Sequence, residues 1–159
     1  MSKLFDGARM NHMEVTVAQG ALARTLPDLL SFYCDTLGFG HLEIDVFPKP
    51  HVFLTTTTPA GQFIYIAEHA QPMLVSGEDH LGFHLPTRAA IDRLLQACQQ
   101  RRLEDDRMQI KELDDLDLPQ TVTHAFYFRY LLPIWFDIQF IDYKPGFAPE
   151  HHWTPAARG

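Results

Sequence analysis

Five ionisable side chains fall where strand alternation would place them on one surface. His12 and Glu14 occur in His12-Met13-Glu14-Val15-Thr16-Val17, His80 and His84 in His80-Leu81-Gly82-Phe83-His84-Leu85, and Asp137 in Trp135-Phe136-Asp137-Ile138-Gln139-Phe140. In each run the apolar residues hold the alternate positions, so a strand that buries them turns the ionisable ones the other way. Imidazoles and carboxylates crowded on one face are costly if buried without partners. A divalent metal, or a solvated ligand pocket, would offset that cost. Alternation also places Trp135 and Gln139 beside Asp137, and Tyr65 of Phe63-Ile64-Tyr65-Ile66 on the same concave side, making an aromatic wall for a flat or hydrophobic small molecule. Glu14 reads either as a partner to a histidine or as a satisfied buried acid. His84 reads as an acid/base group or as pocket lining. Arg129, beside Tyr130, reads as a carboxylate-binding group or as a solvent-exposed strand arginine.

The elements that must position these residues are legible from period and punctuation. A half-buried strand over 12–17 is followed by a helix expected from about Pro27 to Thr36. Thr25 and Asp28 form a capping-box-like start, and Pro27 sits in the first turn. Leu29, Leu30, Phe32, Tyr33 and Leu37 supply its buried face, and Gly38 ends it. Strands are expected at about 39–47, 51–57 and 61–68, separated by Pro48, Pro50 and Pro59-Ala60-Gly61. Glu68, three residues from Tyr65, points to the opposite face. The pattern then restarts at His80. Thr87 caps a helix running to about Arg102, with Ile91, Leu94, Leu95 and Cys98 at helical spacing, and strands are expected at about 107–113, 123–131 and 134–143. Strand, helix and three strands thus occur twice, an internal repeat of one supersecondary unit. Neither copy has enough core alone, so the two sheets are expected to pair edge to edge or curl together with helices outside.

The chain has 159 residues, 46% hydrophobic and 21% charged, which suits one domain with its own core. The division expected is module one at about 10–70, module two at about 78–145 and a tail over 146–159. A net charge of −7 argues against a nucleic-acid surface. The apolar runs fall far short of the ~20 residues of a membrane helix. Met1-Ser2-Lys3-Leu4-Phe5-Asp6 has no apolar signal region, so a cytoplasmic protein is expected. Cys34 and Cys98 fall in expected helices without metal-ligand spacing and read as reduced thiols. His151 and His152, next to Glu150, read as tail residues able to chelate metal adventitiously.

Asn11-His12-Met13, followed by a helix ending Phe32-Tyr33-Cys34-Asp35-Thr36-Leu37-Gly38-Phe39, resembles the first module of the vicinal-oxygen-chelate superfamily. Asp79-His80-Leu81-Gly82-Phe83 resembles the opening of its second module, and Phe126-Tyr127-Phe128 and Trp135 to Phe140 resemble its last two strands. The resemblance covers about residues 10–145. This superfamily includes glyoxalases, epimerases, extradiol dioxygenases, thiol transferases that inactivate fosfomycin, and metal-free bleomycin-binding proteins. The resemblance implies an α+β, glyoxalase-like fold in which two βαβββ modules form a curled mixed sheet. It implies a metal held by His12, His80 and Asp137, the last standing where the family usually has Glu. Tyr65 falls at the position of a fourth, carboxylate ligand in glyoxalases. Leu131-Leu132-Pro133-Ile134 stands where Asp-Pro-Asp-Gly is common.

Two imidazoles and one carboxylate with open positions suit Fe(II), Mn(II), Ni(II) or Zn(II), and no organic cofactor is indicated. The function expected is a metal-dependent enzyme acting on a small oxygenated molecule by lyase, isomerase or dioxygenase-type chemistry. Glu14, Tyr65 and His84 would handle protons, and Trp135, Gln139 and Arg129 would contact substrate. The alternative is a metal-free drug- or metabolite-binding protein of the bleomycin-resistance type, and a third reading is a regulatory module. By the same resemblance a homodimer is expected, its site completed at or near the interface.

Overall fold

The computed structural model describes residues 10–42, 44, 48–56 and 61–147. Met13, Val15 and Val17 turn inward from β1 (His12–Ala18), and Val15 is fully buried. After α1 (Ala21–Leu30) and a π-helical turn (Ser31–Thr36) come β2 (Gly40–Leu42), β3 (His51–Thr55) and β4 (Phe63–His69). The second half runs β5 (His80–His84), α2 (Arg88–Glu104), β6 (Gln109–Glu112), β7 (Leu116–Asp117), β8 (Thr121–Arg129) and β9 (Trp135–Tyr143). The expected repeat is present, with the short β7 as an addition. Most of the expected strand beyond Leu42, and the C-terminal tail from residue 148, lie outside the described residues.

Each half forms its own sheet. The first has the order β1-β4-β3-β2, with β1 parallel to β4; the second has the order β5-β9-β8-β6, with β5 parallel to β9 and β7 beside β8. Among the described residues no ladder joins them, so β1 and β5 each stand at the edge of a sheet. The halves are joined through side chains instead. Val15, Ile64 and Ile66 of one sheet and Phe126, Phe128, Phe136 and Ile138 of the other belong to a single core. Phe32 and Tyr33, from the π-helical turn of the first module, are its hinge-pin. The Phe32 ring lies 5.6 Å from Phe128 and 5.0 Å from Tyr130, and Tyr33 lies 5.4 Å from Phe136. The buried Tyr33 hydroxyl donates to the Tyr130 carbonyl at 2.8 Å, so the ring is buried without stranding its polar tip.

The first helix begins earlier than its local signals indicate. Gly20, at φ 74°, turns the chain into Ala21, and Pro27 lies inside the helix rather than in its first turn. No side chain of the helix caps it. The Glu68 carboxylate of β4 does so, accepting from the backbone N–H groups of Gly20 at 2.8 Å and Leu22 at 2.9 Å. Thr25 instead donates back to the Ala21 carbonyl. Gly38, at φ 78°, ends the segment as expected. In α2, Thr87 accepts from the Ala90 N–H at 3.1 Å, the local cap that its sequence announces. The turn between β8 and β9 is apolar because it is part of the core, with Leu132 and Ile134 buried. Among the described residues no helix is long and apolar enough to cross a membrane.

Candidate functional site

Strand pairing decides which side chains meet on the face away from the helices. In the second sheet, His80 lies opposite Trp135, Gly82 opposite Asp137 and His84 opposite Gln139, while Tyr127 of β8 lies opposite Asp137 from the other side. Asp137 is thus centred among His80, Tyr127 and Gln139, and it is 1% exposed. Gly82 leaves the space above it open, since a Cβ there would meet nothing within 4 Å.

The polar groups around Asp137 do not balance by themselves. His80 Nδ1 lies 2.7 Å from the Glu78 carbonyl, which can only accept, so this nitrogen carries the hydrogen. In the neutral ring Nε2 therefore presents a lone pair, and it faces Asp137 Oδ2 at 3.5 Å. Two acceptors are aimed at one another. Gln139 donates to Oδ2, whereas Oδ1 is buried with no hydrogen-bond partner. Protonating His80 would satisfy Oδ2 and leave Oδ1 stranded. A divalent cation would satisfy Nε2 and the carboxylate together, and the Glu78 carbonyl on Nδ1 holds the imidazole in the tautomer that such an ion needs. His80 and Asp137 therefore fit a metal ion. Tyr127 stands over the pair, its ring 5.2 Å from that of His80. Burial first, then the Asp137 charge and the approach of the hydroxyl to that carboxylate, push it above the usual phenol range, although the hydroxyl stops short of a hydrogen bond of ordinary geometry to Oδ1.

His12 is placed elsewhere. Among the described residues no three His, Cys, Asp or Glu side chains are grouped to hold a metal, so His12 does not join His80 and Asp137 within one chain. It lies flat on Phe63, the rings 4.9 Å apart and 5° from parallel, with Nδ1 2.8 Å from Asn11 Oδ1. Phe63 continues into a row of rings on the same face: Phe53 at 5.5 Å, and Tyr65 a further 4.9 Å from Phe53. Glu14 is exposed beside Tyr65, its ladder partner. Burial, then the Glu14 charge, raise the Tyr65 hydroxyl. Between the two edges is a cavity of about 300 Å³, with His12 and Phe63 on one wall and Gly82 and His84 on the other. The site residues read from sequence thus fall into two groups: His80, Asp137, Gln139, Trp135 and Arg129 on the second sheet, and His12, Glu14 and Tyr65 on the first, with His84 across the cavity from His12.

Two neighbours of the first group were not singled out by sequence. Tyr127 shares a strand face with Arg129, two residues on, so alternation from Arg129 would have found it. Lys111 of β6 lies opposite Tyr127, a neighbour that only the pairing register reveals. Its Nζ lies 4.4 Å from the centre of the buried Trp135 ring, and the Arg129 guanidinium carbon lies 4.7 Å from the same centre.

No family model and no curated protein matches the chain. Solved structures do. A glyoxalase family protein from Bacillus anthracis is similar at 15% identity and a TM-score of 0.60, over 88% of this chain and 98% of that one. The fosfomycin resistance protein FosX from Listeria monocytogenes is similar at 13% identity and a TM-score of 0.56, over 84% and 90%. A mutant of that protein, complexed with Mn(II) and 1S,2S-dihydroxypropylphosphonic acid, gives a TM-score of 0.58 at 13% identity, over 84% and 92%. These likenesses establish the class: the chain has the glyoxalase-like fold, α+β with two sheets and no closed barrel.

Proposed function

We propose that the protein is a metal-dependent enzyme acting on a small oxygenated molecule, with its metal held on the second sheet. One observation carries this reading: His80 Nε2 and Asp137 Oδ2 face each other as acceptors at 3.5 Å while Asp137 Oδ1 is buried and unpartnered. The Mn(II) complex of the similar Listeria protein supports a divalent ion. When bound, such an ion supplies a Lewis acid for two neighbouring substrate oxygens, in isomerase, lyase or dioxygenase-type chemistry. The chain's own groups do the rest. Glu78 holds His80 in one tautomer through its carbonyl, and Gln139 orients the carboxylate. Tyr127 keeps its proton at neutral pH, so it donates to an oxygen rather than abstracting a proton.

The ligand set is completed by a second copy. β1 and β5 are both open edges, and each begins with a histidine on the site face, so a homodimer that apposes them brings His12 of one chain to His80 and Asp137 of the other. A second reading, sequestration of a flat small molecule without metal, is favoured by the ring row His12-Phe63-Phe53-Tyr65. Metal content of untagged protein with His151 and His152 changed to Ala separates the two. The enzyme reading expects near-stoichiometric transition metal, lost in His80→Ala and in Asp137→Ala. It also expects partial recovery when His12→Ala and Asp137→Ala chains are refolded together, since each mixed dimer regains one whole site. Metal-free protein after reconstitution sinks this reading and leaves the binding protein.

A further inference from the structure

On a chain of net charge −7, two cations converge beside His80. Lys111 and Arg129 both approach the Trp135 ring, which is the ladder partner of His80. Like charges held at one ring repel unless an anion stands between them. Arg129 has no such anion: it donates to the neutral amide of Gln109 at 2.7 Å, and among the described residues no carboxylate lies within ion-pair distance of it. Lys111 has one, Glu78, at 3.0 Å. The Glu78 side chain is 74% exposed, so this carboxylate is held from solvent by a single contact. The backbone of the same residue fixes His80.

We propose that Lys111 and Arg129, lying on Trp135, form an oxyanion subsite, and that the Glu78 carboxylate occupies it as an internal stand-in until substrate displaces it. The proposal rests on the functional reading above and deepens it: the substrate is a small anion, carrying a carboxylate, phosphate or phosphonate group at Lys111 and Arg129 and its reacting oxygens toward His80 and Asp137. Arg129 offers a planar fork of donors and Lys111 a point charge, the complement that an oxyanion requires. Glu78 and the substrate compete for the same ammonium group. Glu78 offsets one of the two positive charges and leaves the other uncompensated, so the chain's overall negative field is overridden locally.

The test uses full-length, metal-free protein carrying Trp153→Phe, so that Trp135 alone reports. Inorganic phosphate, methylphosphonate and acetate are titrated against its fluorescence, with sodium chloride at matched ionic strength as the control. A saturable change is expected with at least one of the three; the phosphorus oxyanions binding alone, or acetate binding alone, identifies the head group. Lys111→Gln should weaken it by at least about tenfold, the loss of a charged hydrogen bond. Glu78→Gln should tighten it by about two- to fivefold, since an exposed competing ion pair is removed. No saturable response with any probe, or an unchanged or weaker response in Glu78→Gln, overturns the subsite. Both variants keep the metal ligands and should keep the metal content of the parent. Lost anion binding with metal retained thus refutes this proposal alone, and retained anion binding without metal refutes only the functional reading.

Discussion

Replacing Asp137 by Asn should make the metal-free protein more stable and the metal-loaded protein less so. Without metal, the wild-type chain buries a carboxylate that faces the lone pair of His80 and leaves Oδ1 unpartnered. A buried carboxylate set against a lone pair costs about 1–3 kcal/mol more than a neutral amide that donates to it, while the amide oxygen of Asn leaves the Oδ1 position as it was. Asn is nearly the same size but brings an N–H₂. Placed at the Oδ2 position, this group donates to His80 Nε2, and Gln139 turns its amide to offer oxygen in place of nitrogen. The acceptor clash disappears without any change of packing. We expect Asp137→Asn to gain about 1–2 kcal/mol in chelator, a rise in Tm of about 2–6 °C for a chain of this size. With metal at a hundredfold excess over Kd the order reverses, because wild type gains about 2.7 kcal/mol by mass action and the variant gains nothing. Urea or thermal unfolding of both proteins, with chelator and with Mn(II) or Zn(II), measures all four stabilities. An Asp137→Asn chain less stable than wild type in chelator, or equally stabilised by metal, would refute the assignment of Asp137 as a strained ligand.

Other outcomes follow from the surrounding structure. Glu68→Ala removes both acceptors from the start of α1 and should cost about 2 kcal/mol in denaturant unfolding, with Glu68→Gln intermediate because it keeps one neutral acceptor. Asp105 is held well below the usual carboxylate range, first by hydrogen bonds from Arg107 and then by the Tyr130 hydroxyl. Its stabilisation is therefore complete above the unfolded carboxylate pKa of about 4 and fades as pH falls further. Asp105→Asn should cost about 1–2 kcal/mol at pH 7, with the gap to wild type narrowing below about pH 4. Burial pushes the Cys98 thiol up to about 12. Ellman titration at pH 8 should leave Cys98 unmodified until denaturant is added. Cys34, only half-buried but raised by burial and by Asp35, should react more slowly than a free thiol.

How far the fold could be read from sequence depended on how local each cause was. In β9 the switch between Phe136, Ile138 and Phe140 and Trp135, Asp137 and Gln139 lies within six residues, and that alternation alone put Asp137 on the site face. Thr87 caps its own helix and marks its start. The start of α1 carries no such mark, because its cap is Glu68 on a different strand. Thr25 and Asp28 offered a capping pattern that the chain uses otherwise, Asp28 pairing with Arg107. The site divides in the same way. His80 and Asp137 announce themselves by residue type and Tyr127 by alternation with Arg129, whereas Lys111 acquires its role from register between strands that no local pattern encodes. The gap between His12 and the pair on the second sheet has the same origin. Matching positions in a repeat set their equivalence, but contact depends on how the two sheets lie, which is settled by the aromatic core.

That core has a bearing on how the chain can be divided. Phe32 and Tyr33 belong to the first module by sequence and to the second by contact, Phe32 edge-on to Phe128 and Tyr130 and Tyr33 tilted against Phe136. A fragment ending near residue 70 would carry these rings with nothing to cover them, and one beginning near residue 78 would have a vacancy beneath its sheet. The repeat is therefore a duplication that has lost its autonomy. A cut in the segment between β4 and β5 should leave two pieces that stay together and melt in one transition, each supplying the missing interior of the other.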